Sequence, residues 1–151
     1  MKEFKVMPIK DGTAIDHITP GMALRVLKIL GITGTKESII SVAMNVPSAK
    51  CDRKDIVKIE NRELEPHEIN KIALIAPNAT FNIIRNFNVD KKHKVKLPDV
   101  IEGIVKCENP NCISNKSEPI SPKCVVVSKS PVTLKCFYCD RMITDIIKNI
   151  I

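Results

Sequence analysis

Along the chain the spacing of hydrophobic and polar positions switches between period two and period 3.6, which predicts strands interrupted by two helices. Residues 3–9 alternate well enough for a strand, with Phe4, Val6 and Pro8 on one side, and Asp11-Gly12 then reads as a turn. Residues 13–18 form a second strand. Pro20-Gly21 opens a helix whose apolar positions Met22, Val26, Ile29 and Leu30 keep helical spacing, and Gly31 ends it. A β-rich run over 38–46 closes at Pro47-Ser48, and 54–60 forms the next strand. Pro66 and Pro77 bracket a second helix with Ile69, Ile72, Ala73 and Ala76 as its inner face. Two short strands follow, at 80–86 and 89–96.

The resulting order, β-β-α-β-β-α-β-β, predicts an α+β domain over residues 1–96: a ferredoxin-like antiparallel sheet with both helices on one face. Leu97-Pro98-Asp99 breaks the pattern. Residues 97–151 are poor in helix signals, contain Pro110, Pro119, Pro122 and Pro131, and hold five of the six cysteines. So short a segment needs a staple beyond its own core, and a small β-rich domain built on four cysteine ligands is expected there. The chain shows no internal repeat and no low-complexity stretch.

Composition narrows the class. At 151 residues with 44% hydrophobic and 27% charged side chains, the chain is globular, and at 3% aromatic with no Trp its core is aliphatic. A base-stacking surface is not expected. Charges run through Met1–Val6 and leave no apolar run for a signal peptide or membrane span, so a soluble cytoplasmic protein is expected. In a reducing compartment cysteines serve as metal ligands or buried thiols rather than disulfides.

Cys107-x4-Cys112 and Cys136-x2-Cys139 are two closely spaced pairs, each able to form a tight knuckle. Together they place four thiolates around one ion, a set that suits Zn²⁺. Four sulfurs close the coordination sphere and leave no position for an activated water, so the ion is expected to be structural and not hydrolytic. An iron–sulfur cluster uses the same kind of ligand, but nothing in the chain marks a redox partner site. Cys51 and Cys124 fit no ligand spacing and read as free thiols.

A second candidate lies on the strand faces. In 54–60, Asp55, Val57 and Ile59 point one way while Lys54, Ile56 and Lys58 point the other. In 80–86 the same alternation groups Asn82, Ile84 and Asn86. Where those faces meet they offer ammonium groups, amide donors and acceptors, and an aliphatic floor, which suits a phosphate-bearing nucleotide. Asp16 is placed to accept from ribose hydroxyls, and Lys91 and Lys92 lie nearby in sequence. The same lysines also read as a solvated, edge-protecting surface, and His17 as a surface strand histidine. No Gly-rich phosphate loop and no Ser/His/Asp or Cys/His arrangement is present, so neither an NTPase nor a nucleophilic enzyme has support.

Gly12-Thr13-Ala14-Ile15-Asp16-His17-Ile18, residues 53–61 (RKDIVKIEN), residues 76–82 (APNATFN), Asn111-Cys112-Ile113-Ser114 and Leu134-Lys135-Cys136-Phe137-Tyr138-Cys139 span both domains. In these residues the chain resembles the regulatory chain of aspartate carbamoyltransferase. The resemblance implies a non-catalytic chain. Its N-terminal domain would bind effector nucleotides such as ATP, CTP and UTP and pair with a second regulatory chain. Its zinc domain, with Cys107, Cys112, Cys136 and Cys139 as ligands, would dock on a separate catalytic chain. The implied assembly is two catalytic trimers bridged by three regulatory dimers, acting in pyrimidine synthesis. Carried over residue by residue, the nucleotide site would comprise Val6, Ile9, Asp16, His17, Lys54, Lys58, Asn82, Ile84, Val89 and Lys92. Met7-Pro8 and Phe87 depart from the acidic and small residues and the tyrosine found in some members, and these departures bear on base preference.

Charge raises one rival. With 24 basic and 17 acidic side chains, a net charge of +7 and a pI near 9.2, a zinc-ribbon nucleic-acid-binding accessory protein is the alternative. The ribbon itself has eight basic against six acidic side chains from Lys96 onward, and four thiolates with one Zn²⁺ cancel that excess. The surplus then sits in the N-terminal domain, where it complements a polyphosphate better than a nucleic-acid backbone.

Overall fold

The computed structural model describes residues 8–32, 39–49, 52–94, 97–116, 120–129 and 132–150. The chain divides into two compact units, Met1–Lys96 and Leu97–Ile151. In the first, β1 (Gly12–Ile18), α1 (Ala23–Ile29), β2 (Ile40–Pro47), β3 (Arg53–Glu60), α2 (Pro66–Ile75), β4 (Thr80–Arg85) and β5 (Asn88–Lys94) follow one another. Every strand pair is antiparallel, and the order across the sheet is β2-β3-β1-β4-β5. The first four strands have the split β-α-β arrangement of ferredoxin-like sheets, extended by the β4–β5 hairpin. α1 packs on α2, β2 and β3, which puts both helices on one side of the sheet.

The expected strand over 3–9 lies mostly outside the described residues, Val6 included; Pro8 and Ile9 belong to no strand, although Ile9 is buried. Gly12 opens β1 instead of ending a turn. Its φ is +145°, and a Cβ there would stand 2.1 Å from the Ile59 carbonyl oxygen, so only glycine lets β1 and β3 come this close. Asn86 also leaves its expected strand. It forms the β4–β5 turn with Phe87, both at positive φ (51° and 66°), and donates its amide to Asp11 Oδ1.

Alternation holds where one face is buried. Asp55, Val57 and Ile59 of β3 point into the helix layer with Ile15, Ile18 and Phe81, while Lys54, Ile56 and Lys58 lie on the open face. Asp55 is fully buried, so its carboxylate must find donors. Gly21 and Ala23 at the start of α1 donate their amides to Oδ2 at 2.9 and 3.0 Å, and Asn45 in β2 donates to Oδ1 at 2.7 Å. At the other helix, Pro66 occupies the first turn of α2 and Glu68 Oε1 accepts from the Glu65 amide at 3.1 Å.

The second unit is a four-stranded antiparallel sheet, β6 (Val100–Glu102), β7 (Lys123–Lys129), β8 (Val132–Cys136) and β9 (Met142–Ile143), in sequential order. Its apolar core is small, comprising Ile101, Ile104, Val105, Leu134 and Ile143 with Cys124. Two short helical pieces that sequence periodicity did not predict, a 3₁₀ turn at Ile113–Asn115 and α3 at Ile146–Asn149, flank it. Among the described residues, no helix is long and apolar enough to cross a membrane.

Replacing Asp55 by Ala should destabilise the first unit by about 3–5 kcal/mol, because three backbone donors lose a charged acceptor in a dry site. Native-state amide exchange reads this directly: protection of β1 and β3 falls together in the variant, and unchanged protection would show that Asp55 contributes little.

Candidate functional site

Strand register turns scattered sequence positions into rows. Lys58 of β3 stands opposite Ala14 of β1, Ala14 opposite Asn82 of β4, and Asn82 opposite Lys92 of β5. Residues directly opposite in antiparallel strands project to the same face. Two lysines therefore flank an amide across a gap whose centre holds only a methyl group. The adjoining row runs Glu60, Gly12, Ile84, Val89, and Ile9, Ala14 and Ile84 pack together as an aliphatic floor. Asn82 Oδ1 is buried without a hydrogen-bond partner among the described residues. A buried carbonyl oxygen left in that state is satisfied when a ligand donor reaches it.

One strand irregularity completes the site. Ile15 pairs with Val57 and Ile18 with Asp55, so β1 carries one residue more than β3 over this stretch. His17, at φ 57°, absorbs the bulge. Both isoleucines, three apart, stay buried, and Asp16 and His17 together turn to the open face. Asp16 Oδ1 meets Lys54 Nζ at 2.9 Å and accepts the His17 amide at 2.7 Å, while His17 Nδ1 lies 3.3 Å from Thr80 Oγ1. Burial pushes the Asp16 carboxyl up, but Lys54 and the His17 amide outweigh it and hold it below its usual 3.8. Burial lowers the Lys58 ammonium from 10.5, and the Asp16 charge only partly restores it. An added anion at Lys58 would favour its charged form.

By face the sequence grouped Lys54 with Lys58 and Asn82 with Ile84, as the strands have them, and register brings Lys92 and Val89 beside them. Thr80, opposite Asp16, and Lys94, opposite Thr80, were not singled out; their only signal was membership of the same strands.

The second unit gathers the four paired cysteines. Their Sγ atoms all lie within 4.8 Å of one another, with Cys107–Cys139 and Cys112–Cys136 both at 3.6 Å. Cys107 and Cys112 come from the first knuckle, which Asn115 braces by donating its side-chain amide to the carbonyls of Cys107 (2.9 Å) and Asn109 (2.7 Å). Cys136 ends β8, and Asp140 at φ 61° turns the second knuckle back. Burial pushes the Cys107 thiol up to about 12, against the opposing Asn109 amide. Burial also raises Cys112, but the Ser114 hydroxyl and amide bring it down to about 7. Such a set is arranged to hold a metal ion, and its buried protons must leave as the ion enters.

Glu108, inside the first knuckle, gathers the C-terminal segment. Its Oε1 accepts from the amides of Thr144 (2.7 Å) and Asp145 (2.8 Å), and these bonds hold its carboxyl below the usual range. Nothing in the local sequence marked this contact. Cys124 is a buried thiol beside the cluster, and Cys51 lies outside the described residues.

A split β-α-β sheet with an open polar face and a cluster of four thiols arranged for a metal ion define a two-unit, metal-binding protein. Family models agree with that division. The aspartate carbamoyltransferase regulatory chain allosteric domain matches residues 4–96, and the metal binding domain of the same chain matches residues 99–148. Curated relatives called aspartate carbamoyltransferase regulatory chain include one from Methanothrix thermoacetophila, 60% identical over 95% of this chain and 94% of its own. Another, from Methanoculleus marisnigri, is 53% identical over 95% and 91%, and one from Methanothermobacter thermautotrophicus is 52% identical over 93% and 90%. The chain belongs to the family of aspartate carbamoyltransferase regulatory chains. It is a regulatory, non-catalytic chain that works with a catalytic partner.

Since metal entry displaces thiol protons, apparent affinity for Co²⁺, followed by its visible absorption, should rise at least about tenfold per pH unit between pH 6 and 8. A pH-independent affinity would mean that the four thiols are already ionised.

Proposed function

We propose that the first unit binds effector nucleotides such as ATP, CTP and UTP on its open face and that the second carries the response to the catalytic chain. The observation that supports this most is the row Lys58–Ala14–Asn82–Lys92, in which a buried amide oxygen between two lysines has no partner among the described residues. Lys58, Lys92 and Lys54 would meet phosphate and ribose oxygens, Asp16 with His17 the ribose, and Asn82 the base edge. Ile9, Ile84 and Val89 would supply the apolar floor; Val6, which the resemblance adds to the site, lies outside the described residues. Regulation then needs no chemistry in this chain. A nucleotide that binds two quaternary states unequally shifts their balance by the difference, on the order of 1–3 kcal/mol for typical effectors.

The ion is read as one structural Zn²⁺ per chain. With bonds of about 2.3 Å a tetrahedral ZnS₄ centre has sulfur–sulfur edges of about 3.8 Å, close to the 3.6 Å separations found. When bound, the ion supplies folding free energy to a unit with a small core. The exposed side chains of Val127, Phe137 and Met142 then offer the catalytic chain an apolar surface.

Pairing of two regulatory chains has support in the sheet edges. Among the described residues the sheet ends at β5, with three lysines, and at β2, which has no charged residue and exposes Val42 and Met44. Lysines on an edge discourage strand pairing, whereas a bare apolar edge favours a partner. In this reading three regulatory dimers bridge two catalytic trimers in the cytoplasm, and the complex serves pyrimidine synthesis.

Lys58→Ala should weaken nucleotide binding about ten- to a hundredfold, the worth of one charge-assisted phosphate contact, with zinc content unchanged. Calorimetry with ATP and CTP checks it, and wild-type affinity in the variant would remove the open face as the site. Cys136→Ala should lose zinc and with it association with catalytic trimers, while nucleotide binding persists. Sedimentation of the mixed chains reads the outcome, and normal assembly by the zinc-free variant would refute a docking role for the metal unit.

A further inference from the structure

Five thiols, not four, meet at the metal module. Cys124 of β7 stands directly opposite the ligand Cys136 of β8. The amide of Phe137 donates to the Lys123 carbonyl at 2.9 Å, a bond that flanks the Cys124–Cys136 pair instead of joining it. That makes it a non-hydrogen-bonded pair, the narrow kind, in which Cα atoms are about 4.5 Å apart and side chains approach most closely. Disulfides span Cα separations of about 4.4–6.8 Å. Both residues are buried and project to the same face of the sheet. A metal site needs four sulfurs and already has them, so the fifth has no part in coordination.

We propose that Cys124 is the resolving thiol of the metal centre: oxidation by a hydroperoxide ends in a Cys124–Cys136 disulfide that removes one ligand and releases the ion. Solvent reaches the set at Cys139, the exposed ligand, where the hydroperoxide reacts. With hydrogen peroxide the Cys139 sulfur takes an oxygen as the O–O bond breaks, giving a sulfenic acid and a hydroxide that a solvent proton turns into one water. Cys136 attacks that sulfur, an S–S bond forms, and the oxygen leaves as a second water. Cys124 then attacks the Cys136 sulfur, the Cys136–Cys139 bond breaks, and Cys139 departs as a thiol with the proton Cys124 gives up. In total two sulfurs lose two electrons and hydrogen peroxide becomes two waters, with solvent supplying the two protons that metal-bound Cys139 and Cys136 lack. Reduction by a dithiol reverses the change and restores the ligand.

This inference rests on the reading of the four cysteines as a metal site, and metal content measured before oxidation tests that reading by itself. The full-length, zinc-loaded chain is treated with hydrogen peroxide, released zinc is followed with a chromophoric chelator, and disulfides are mapped by mass spectrometry under non-reducing conditions. The expected result is a Cys124–Cys136 linked peptide appearing in step with zinc release, both reversed by dithiothreitol and added zinc. In Cys124→Ala, zinc loading should match wild type, while oxidation should stop at a Cys136–Cys139 disulfide that blocks Cys139 to alkylation, whereas oxidised wild type leaves Cys139 open to it. Cys124 remaining open to alkylation after zinc has left, or Cys139 blocked as completely in oxidised wild type as in Cys124→Ala, would overturn the proposal. The wild-type mapping stands alone should the variant fold poorly.

Discussion

A carboxylate removed from water is tolerable only when donors surround it, and Asp55 obtains three backbone amides from two other elements. The bonds have a geometric result. The amides of Gly21 and Ala23 fix where α1 begins, and that of Asn45 fixes the irregularity of β2 between Ala43 and Val46. Asp55 is also the β3 partner of Ile18, the residue at which β1 resumes register after its bulge. One side chain on the buried face therefore sets how Asp16 and His17 stand on the opposite face. Its neighbour Lys54 then completes the link to Asp16 across the open side.

The two units solve stability differently. The first has a core under two helices that is aliphatic apart from Phe81, in keeping with a chain of so few aromatic residues. The second cannot bury enough on its own, and the sulfur cluster takes the place of a larger core. Glu108 extends the reach of that cluster: a residue next to ligand Cys107 accepts hydrogen bonds from Thr144 and Asp145, tying the last helical turn to the metal loop.

Legibility of the sequence followed physical range. Alternation in 54–60 could be read because one face of β3 is buried, and the cysteine knuckles because ligand spacing is local. The bulge at Asp16-His17 was hidden. Its one trace is the three-residue spacing of Ile15 and Ile18, which a two-residue period cannot explain. The Asn86-Phe87 turn was half visible, since asparagine tolerates positive φ and phenylalanine gives no such signal. Rows across the sheet depend on register, which no single strand contains. The Glu108 contacts span 36 and 37 residues and lie beyond any local pattern.

The row from Lys58 to Lys92 runs perpendicular to the strands and draws its members from β3, β1, β4 and β5. A nucleotide bound there as proposed would act as a tie rod, resisting relative sliding of four strands at once and not merely closing a loop. β2 is the next strand beyond β3, with Ser41 opposite Lys58. Under the proposed nucleotide binding and pairing of two regulatory chains, load carried along the row would reach the uncharged outer strand that a second copy would join.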